Sequence, residues 1–307
     1  MEEEIIINFP TNIGDAVMCL PTLDRLHFNY PYSTITAIAS QRTKELLERN
    51  NFSNKVILFD KHWSINKKIK FTCSLKGEYD IIVDFKNSLL PFFIGGKRTP
   101  FYRAYPKNMH VKDVYIDLVK KIAPKKSETK SEFTLTEEEK MKWDNLKIPK
   151  CLFIACTSNA LQKRYPYNYL KEAVRGLKKH FPVAILGQEN DRNFYNDILS
   201  TEGTIDLVGK TKLYELFYLL KKYARLLLCV DSSILHIASY VNVPIVALFG
   251  QNSPLKYGPW SDKFSVITNK ALPCVPCAKP HCDFDYKCME IEPKIVIGAV
   301  IKMMHQE

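Results

Sequence analysis

Three short stretches carry side chains able to bind or activate phosphate and hydroxyl groups. The first is Asn12-Ile13-Gly14-Asp15, directly after the apolar run Ile5 to Phe9. Gly14 suits a tight turn from strand to helix and leaves the Asp15 carboxylate at the helix start, either as a cap on free N–H groups or as a base. The helix dipole favours the cap, because it lowers the basicity of a carboxylate that must accept a proton; partial desolvation would oppose that shift. The second is Cys156-Thr157-Ser158 with Lys163-Arg164 a few residues on. Two hydroxyls and a lysine at a strand end can hold a phosphate, or they can form an ST-turn beside an exposed basic pair. The Gly-x-x-x-x-Gly-Lys spacing of a P-loop is absent. The third is Asp231-Ser232-Ser233-Ile234-Leu235-His236. Small hydroxyl residues opening a helix expose backbone N–H groups, an anion site suited to a diphosphate, and His236 lies one turn further along.

A fourth cluster has a different chemistry. Cys274, Cys277, Cys282 and Cys288 fall within fifteen residues. A leading C-x-x-C can close a tetrahedral zinc site. The second pair lacks that spacing, and a loop holding Pro273, Pro276 and Pro280 can pack around reduced thiols, so the reading without metal is preferred.

The elements that must position these groups follow from periodicity. Short β-branched or apolar runs recur at Ile5 to Phe9, Thr34 to Ala39, Lys55 to Phe59, Asp80 to Phe85, Cys151 to Cys156, Pro182 to Leu186, Leu226 to Val230 and Pro244 to Phe249. Segments of helical spacing, such as Thr22 to Asn29, Tyr167 to His180 and Leu213 to Tyr223, lie between them. Alternation of this kind predicts an α/β protein with parallel sheets. The polar and then acidic stretch 123–150 breaks the pattern and is read as a linker. This gives an N-terminal Rossmann-like domain over 1–150, and a second over 151–307 that contains the Cys-rich loop 274–288 and a C-terminal helix. Ligands of such sheets bind outside the carboxyl ends of the strands, which here predicts a cleft faced by two sheets.

Composition narrows the partners. The chain of 307 residues has 46% hydrophobic and 25% charged residues, as expected of a folded globular protein of two domains. No apolar run reaches the ~18 residues of a membrane span. The start Met1-Glu2-Glu3-Glu4 is unlike a signal peptide, and nine scattered cysteines fit reduced thiols, so the expected location is the cytoplasm. Net charge is +11, and residues 51–112 hold twelve Lys and Arg against four Asp and Glu. Eight of the eleven excess charges thus sit in one fifth of the chain. A solvated surface and an anionic partner both account for such a segment.

Taken in order, the Gly-Asp, Thr-Ser/Lys and Asp-Ser-x-x-x-His motifs, then Ala247-Leu248-Phe249-Gly250 and the cysteine loop, resemble the heptosyltransferase family, glycosyltransferase family 9. Tyr79 to Asp84, Asn87 to Leu90, Leu207 to Leu213 and Phe249 to Pro254 agree as well. The opening motif and the cysteine loop look most like the heptosyltransferase II branch. The resemblance implies a GT-B fold, an N-terminal acceptor domain, a C-terminal donor domain, and inverting transfer of heptose from ADP-L-glycero-D-manno-heptose to the inner core of lipopolysaccharide, with no cofactor required. It implies Asp15 as base. Thr157, Ser158, Lys163, Asp231, Ser232, Ser233 and His236 match donor positions, Glu189 a ribose position and Lys212 the adenine loop. Gly14, Lys86, Lys97, Arg98, Arg103 and Lys107 become candidates for an anionic, lipid-linked acceptor met at the cytoplasmic face of the inner membrane. One departure stands out: the family usually has Gly where this chain has Ser233. A related GT-B enzyme using another nucleotide sugar is the alternative. A nucleic-acid-binding protein is disfavoured because no helix-turn-helix, RNP or finger spacing accompanies the charge. A nicotinamide enzyme would need a Gly-x-Gly-x-x-Gly that no predicted strand precedes.

Overall fold

A computed structural model describes residues 2–99, 108–269, 271–279, 282 and 284–305. The chain divides into two compact units, Met1–Leu135 and Thr136–Glu307. The division falls earlier than the 150 boundary expected from sequence, for a local reason. Thr136 and Glu139 form a reciprocal capping box that starts a helix over Glu137–Asn145. That helix belongs to the second unit: the fully buried Trp143 donates its indole N–H to Glu215 Oε1 at 3.0 Å. Asp144 accepts from Lys222, Tyr218 and Tyr223. What reads as a polar linker is therefore half a structural element.

The first unit is built on β1 (Glu4–Asn8), β2 (Thr34–Ala39), β3 (Lys55–Leu58), β4 (Ile81–Asp84) and β5 (Lys97–Arg98), in the order β3-β2-β1-β4-β5. Every pairing is parallel. Strands covered on both faces lose the polar alternation of a one-sided sheet, which is why Ile5, Ile6 and Ile7 can run consecutively and all be buried.

The second unit contains β6 (Cys151–Ala155), β7 (Val183–Ile185), β8 (Thr204–Asp206), β9 (Ala224–Val230), β10 (Ile245–Phe249) and β11 (Phe264–Thr268), ordered β11-β10-β9-β6-β7-β8 and again wholly parallel. Strands β5, β8 and β11 are not evident in the sequence. They are edge strands, short or half polar, so their hydrophobic signal is weak. The expected C-terminal helix spans Pro293–Met304 and packs on the helix Tyr167–Leu177.

Both sheets are doubly wound from a central first strand. After β3 the chain crosses to the other side of β1 to form β4, and after β8 it crosses to the other side of β6 to form β9. Each sheet thus has a topological switch point, β1/β4 and β6/β9, where the loops leaving the strands diverge and open a crevice.

Candidate functional site

In the second unit, Thr157, Ser158, Lys163 and Asp231, four of the predicted donor residues, gather at the β6/β9 switch point. Thr157 and Ser158 leave the end of β6, Lys163 closes a short 3₁₀ turn over Leu161–Lys163, and Asp231 leaves the end of β9. Lys163 is not an exposed basic residue. Its Nζ crosses the switch point to Asp231 Oδ2 at 2.8 Å, and the same oxygen accepts Asn252 Nδ2–H at 2.6 Å from the loop after β10. One ion pair therefore ties together loops from the two strands, with Asp231 buried. An ammonium has three donors, and this pairing leaves two for a ligand oxygen.

Behind it lies a second network. Buried Thr157 donates through Oγ1 to Asp191 Oδ2 at 3.0 Å, and that carboxylate also accepts the Gln188 N–H at 3.0 Å and, through Oδ1, Arg164 at 3.4 Å. Arg164 Nε donates to the Ser158 carbonyl at 2.7 Å. Tyr195 accepts the Cys156 N–H at 3.0 Å and contacts Thr157 Oγ1 at 3.4 Å; burial pushes its phenol well above the usual range. Ser158 Oγ accepts the Ala160 N–H at 3.3 Å, so the ST-turn suggested by the sequence forms at the same place as the hydroxyl pair.

Ser232 precedes the helix Ser233–Tyr240, and its buried Oγ has no hydrogen-bond partner among the described residues. Ser233 is the first residue of that helix and has no positive φ, so replacing Gly there costs no backbone strain; only its Cβ and hydroxyl are new. His236 is buried and stacks on Trp260 at 5.4 Å with an interplanar angle of 17°. Glu189 follows β7 and pairs with Arg192 at 3.0 Å. A Cβ on Gly209, whose φ is +71°, would lie 1.9 Å from Glu189 Oε2, so glycine there makes room for this carboxylate. Lys212 is exposed; its backbone N–H donates to Glu215 Oε2 at 2.6 Å and its ammonium lies 5.7 Å from the Tyr214 ring.

In the first unit, the edge is organised by a carboxylate that sequence reasoning did not single out. Asn8 ends β1 and pairs in register with Asp84 at the end of β4. Asn8 Nδ2 donates to Asp84 Oδ1 at 2.8 Å, and Asp84 also accepts from the Lys86 N–H at 3.1 Å, the Ser88 N–H at 2.6 Å and Ser88 Oγ at 2.8 Å. This folds the loop 85–88 over the strand end, with Asn87 at φ 55°. Lys86 is held within it, half-buried; burial lowers its pKa, partly offset by nearby Asp84, and its Nζ lies 5.5 Å from the Phe59 ring.

Asp15 is the third residue of the helix Ile13–Asn29, partly exposed, and its Oδ2 accepts Asn12 Nδ2–H at 3.2 Å. Gly14 is therefore inside the helix rather than in the turn before it, and Asn12 stands at the N-cap position, three residues before Asp15. The other basic candidates are not gathered here. Lys97 pairs in register with Ile81, at the start of β4 rather than at the carboxyl end where Lys86 lies, and Arg98 follows it opposite Ile82. Arg103 and Lys107 lie outside the described residues.

The four loop cysteines are free thiols. Cys282 Sγ accepts the Tyr286 N–H at 3.3 Å, and Cys288 is buried against Gly250, where a Cβ would meet its sulfur at 2.7 Å. Burial, with the neighbouring thiols contributing, raises Cys288 to about 11. Among the described residues no three His, Cys, Asp or Glu side chains are placed to hold a metal ion.

Asp84, Asp191, Arg164 and Asn252 are the residues that sequence reasoning gave no role. Asp84 ends an apolar strand and precedes a turn, and Asp191 stands at the N-cap of the helix Arg192–Leu199; those are the signals that could have marked them.

Two parallel, doubly wound α/β units with their polar groups at the switch points define a GT-B glycosyltransferase fold. The family model of glycosyltransferase family 9 (heptosyltransferase) matches residues 97–287, and the chain belongs to that family and is a transferase. It is 28% identical over 304 residues to lipooligosaccharide heptosyltransferase 2 of Haemophilus influenzae, covering 86% of this chain and 88% of that one. Among solved structures it resembles E. coli ADP-heptose lps heptosyltransferase II, with TM-score 0.76 and 23% identity over 100% of this chain and 99% of the other. A family 9 glycosyltransferase from Veillonella parvula gives TM-score 0.79 and 21% identity, covering 99% and 98%.

Proposed function

We propose that this protein is an inverting heptosyltransferase that moves heptose from ADP-L-glycero-D-manno-heptose to the inner core of lipopolysaccharide, working at the cytoplasmic face of the inner membrane, where a lipid-linked acceptor is met. The observation that carries the donor half is the Lys163–Asp231 pair across the β6/β9 switch point, beside the Thr157 and Ser158 hydroxyls. A diphosphate placed there meets an ammonium with donors to spare and the N–H groups that open the helix Ser233–Tyr240. Glu189 and Lys212, in the segments that follow β7 and β8, are assigned to the ribose and the adenine. The names of the relatives support heptose as the sugar and lipopolysaccharide as the acceptor.

In the first unit, Asp15 is assigned as base and Lys86 as a contact for acceptor anions. In the step itself Asp15 takes the proton of the acceptor hydroxyl, that oxygen forms a bond to the anomeric carbon from the face opposite the diphosphate, and the bond from that carbon to the diphosphate oxygen breaks, releasing ADP. Lys163 acts where negative charge grows on the leaving oxygen. The test is incubation with ADP-heptose and a truncated lipopolysaccharide acceptor, reading ADP release. Release that requires both substrates supports the reading; tight calorimetric binding of a UDP- or GDP-sugar, with none of ADP-heptose, would replace it by the second reading, a family member with another donor. Ser233, where the family usually has Gly, is the observation that keeps that second reading in view.

A further inference from the structure

Arg192 opens the helix Arg192–Leu199 directly after the 3₁₀ turn Glu189–Asp191, and each nitrogen of its guanidinium meets a different acceptor. Nε donates to Glu189 Oε1 at 3.0 Å, Nη1 to Asp206 Oδ2 at 3.1 Å and Nη2 to the Val208 carbonyl. Asp206 ends β8 and Val208 lies two residues beyond it. A planar, rigid fork held by two groups from one strand end has no freedom left in its plane, so its Nε–H is aimed at the carboxylate that follows β7.

Stability does not account for this arrangement. The Glu189 side chain is 68% exposed, and an ion pair in water contributes little. Asp206 is served without Arg192, by Lys210 Nζ at 2.7 Å and the Val208 N–H at 3.0 Å. What the guanidinium does is hold one rotamer of a long side chain that would otherwise turn freely. Glu189 Oε1 is thereby engaged, whereas Oε2 accepts no hydrogen bond among the described residues and fills the space that a Cβ on residue 209 would need. That floor is fixed: the Gly209 N–H donates to the Gly187 carbonyl at 2.9 Å and the Leu207 N–H to the Ile185 carbonyl at 3.0 Å. The pair stands where a sugar belongs. The same 3₁₀ turn carries Asp191, which accepts from Thr157 Oγ1 at 3.0 Å, and two residues of 3₁₀ helix rise only about 4 Å. The open oxygen is therefore beside the hydroxyl assigned to the donor diphosphate.

We propose that Arg192 is a positioning residue for the donor: it pins Glu189 so that Oε2 accepts from a hydroxyl of the nucleoside ribose, and the pair thereby selects ribonucleoside over deoxyribonucleoside diphosphates. This role rests on the donor site proposed above and extends it by the group that sets the sugar preference, whatever the base. Its physical cause is preorganisation, since a carboxylate already fixed loses no rotamer freedom when the hydroxyl arrives.

The experiment is calorimetry of the full chain with ADP, 2′-deoxy-ADP and 3′-deoxy-ADP. ADP should bind about tenfold tighter than at least one of the deoxy compounds, as expected for a hydrogen bond to a charged acceptor. Glu189→Ala should abolish that ratio. Arg192→Met should cut it to about threefold, by weakening ADP while the deoxy compound binds as before, and in the Glu189→Ala background it should change ADP binding no further. Arg192→Lys, a conservative change that retains the charge without the fork, should give a ratio between those of the parent and Arg192→Met, and it decides the matter if Arg192→Met does not fold. A parent that binds ADP and both deoxy compounds alike would overturn the proposal. So would a ratio unchanged in folded Arg192→Lys, or an Arg192→Met that weakens ADP and deoxy compounds by one factor, with or without Glu189, because the arginine would then be structural only. If ADP does not bind, the same series with UDP and GDP and their deoxy forms reads the sugar preference; that outcome replaces the adenine assignment alone. Binding of none of the three would overturn both.

Discussion

The two units use the same winding and place their polar groups at the same topological position, yet they secure them differently. At β6/β9, charge is neutralised in place: Lys163 is paired with Asp231, Asp191 gathers Thr157, Gln188 and Arg164, and Asp231, Asp191 and Thr157 are buried. At β1/β4, a single carboxylate, Asp84, folds one loop, while Asp15 and Lys86 stay partly open and the surrounding surface carries surplus positive charge. The contrast suits two kinds of ligand. A small diphosphate is best served by donors fixed in advance, which lose little freedom on binding. A large anionic chain is better met by mobile lysines that collect it at long range.

Breaking the contrast at its centre gives the largest effects. Asp15→Ala should reduce transfer by about 10³-fold, within the range of general-base contributions, while calorimetry finds ADP-heptose affinity within about twofold of the parent. Lys163→Ala should cost about 10²-fold in kcat; an effect confined to KM would make Lys163 a binding group only. Asp191→Asn should weaken donor binding about tenfold, through Thr157 and Arg164, and leave acceptor KM unchanged. An equal change in acceptor KM would remove the division of labour drawn between the units.

A smaller effect is expected at Lys86. Lys86→Glu should raise acceptor KM several-fold at low salt and less at high salt. Because burial lowers the pKa of Lys86, the parent's acceptor affinity should begin to fall with rising pH before an ordinary lysine would deprotonate, and the variant should lack that early limb. The smallest effect lies outside the chemistry. Asp144 is held down to about 2, chiefly by Lys222 and then by Tyr223 and Tyr218. Its contribution to stability is complete above the usual carboxylate range and is lost as pH falls through about 2. Asp144→Asn should therefore lower Tm at neutral pH, and its difference from the parent in denaturant melts should vanish towards pH 2.

How much of this was legible in the sequence depends on the range of each interaction. The strand–helix alternation is local, and so are the motifs around Asp15, Thr157 and Asp231; those could be read directly. Asp191, Asn252 and Asp84 act on residues 34, 21 and 76 positions away, and their partners are fixed by strand order and register. No single-segment pattern encodes that order. The edge strands β5, β8 and β11 were missed because an edge strand needs no continuous apolar run. The basic segment shows the opposite error: a correct charge count gave no information on which lysine stands at a strand end, and Lys97 and Lys86 separate once β4 and β5 are paired in register.

The helix Glu137–Asn145 bears on how the molecule can be taken apart. A fragment cut at Cys151, where the strand pattern restarts, would deprive Glu215, 2% exposed in the parent fold, of the Trp143 indole and of Lys142, leaving it the Lys212 N–H. It would also strip Tyr214, Tyr218 and Tyr223 of their carboxylate acceptors. A fragment begun at Thr136 keeps all of these. Expression of the second unit as an autonomous nucleotide-sugar binder should thus succeed or fail on fifteen residues that contribute no strand to its sheet.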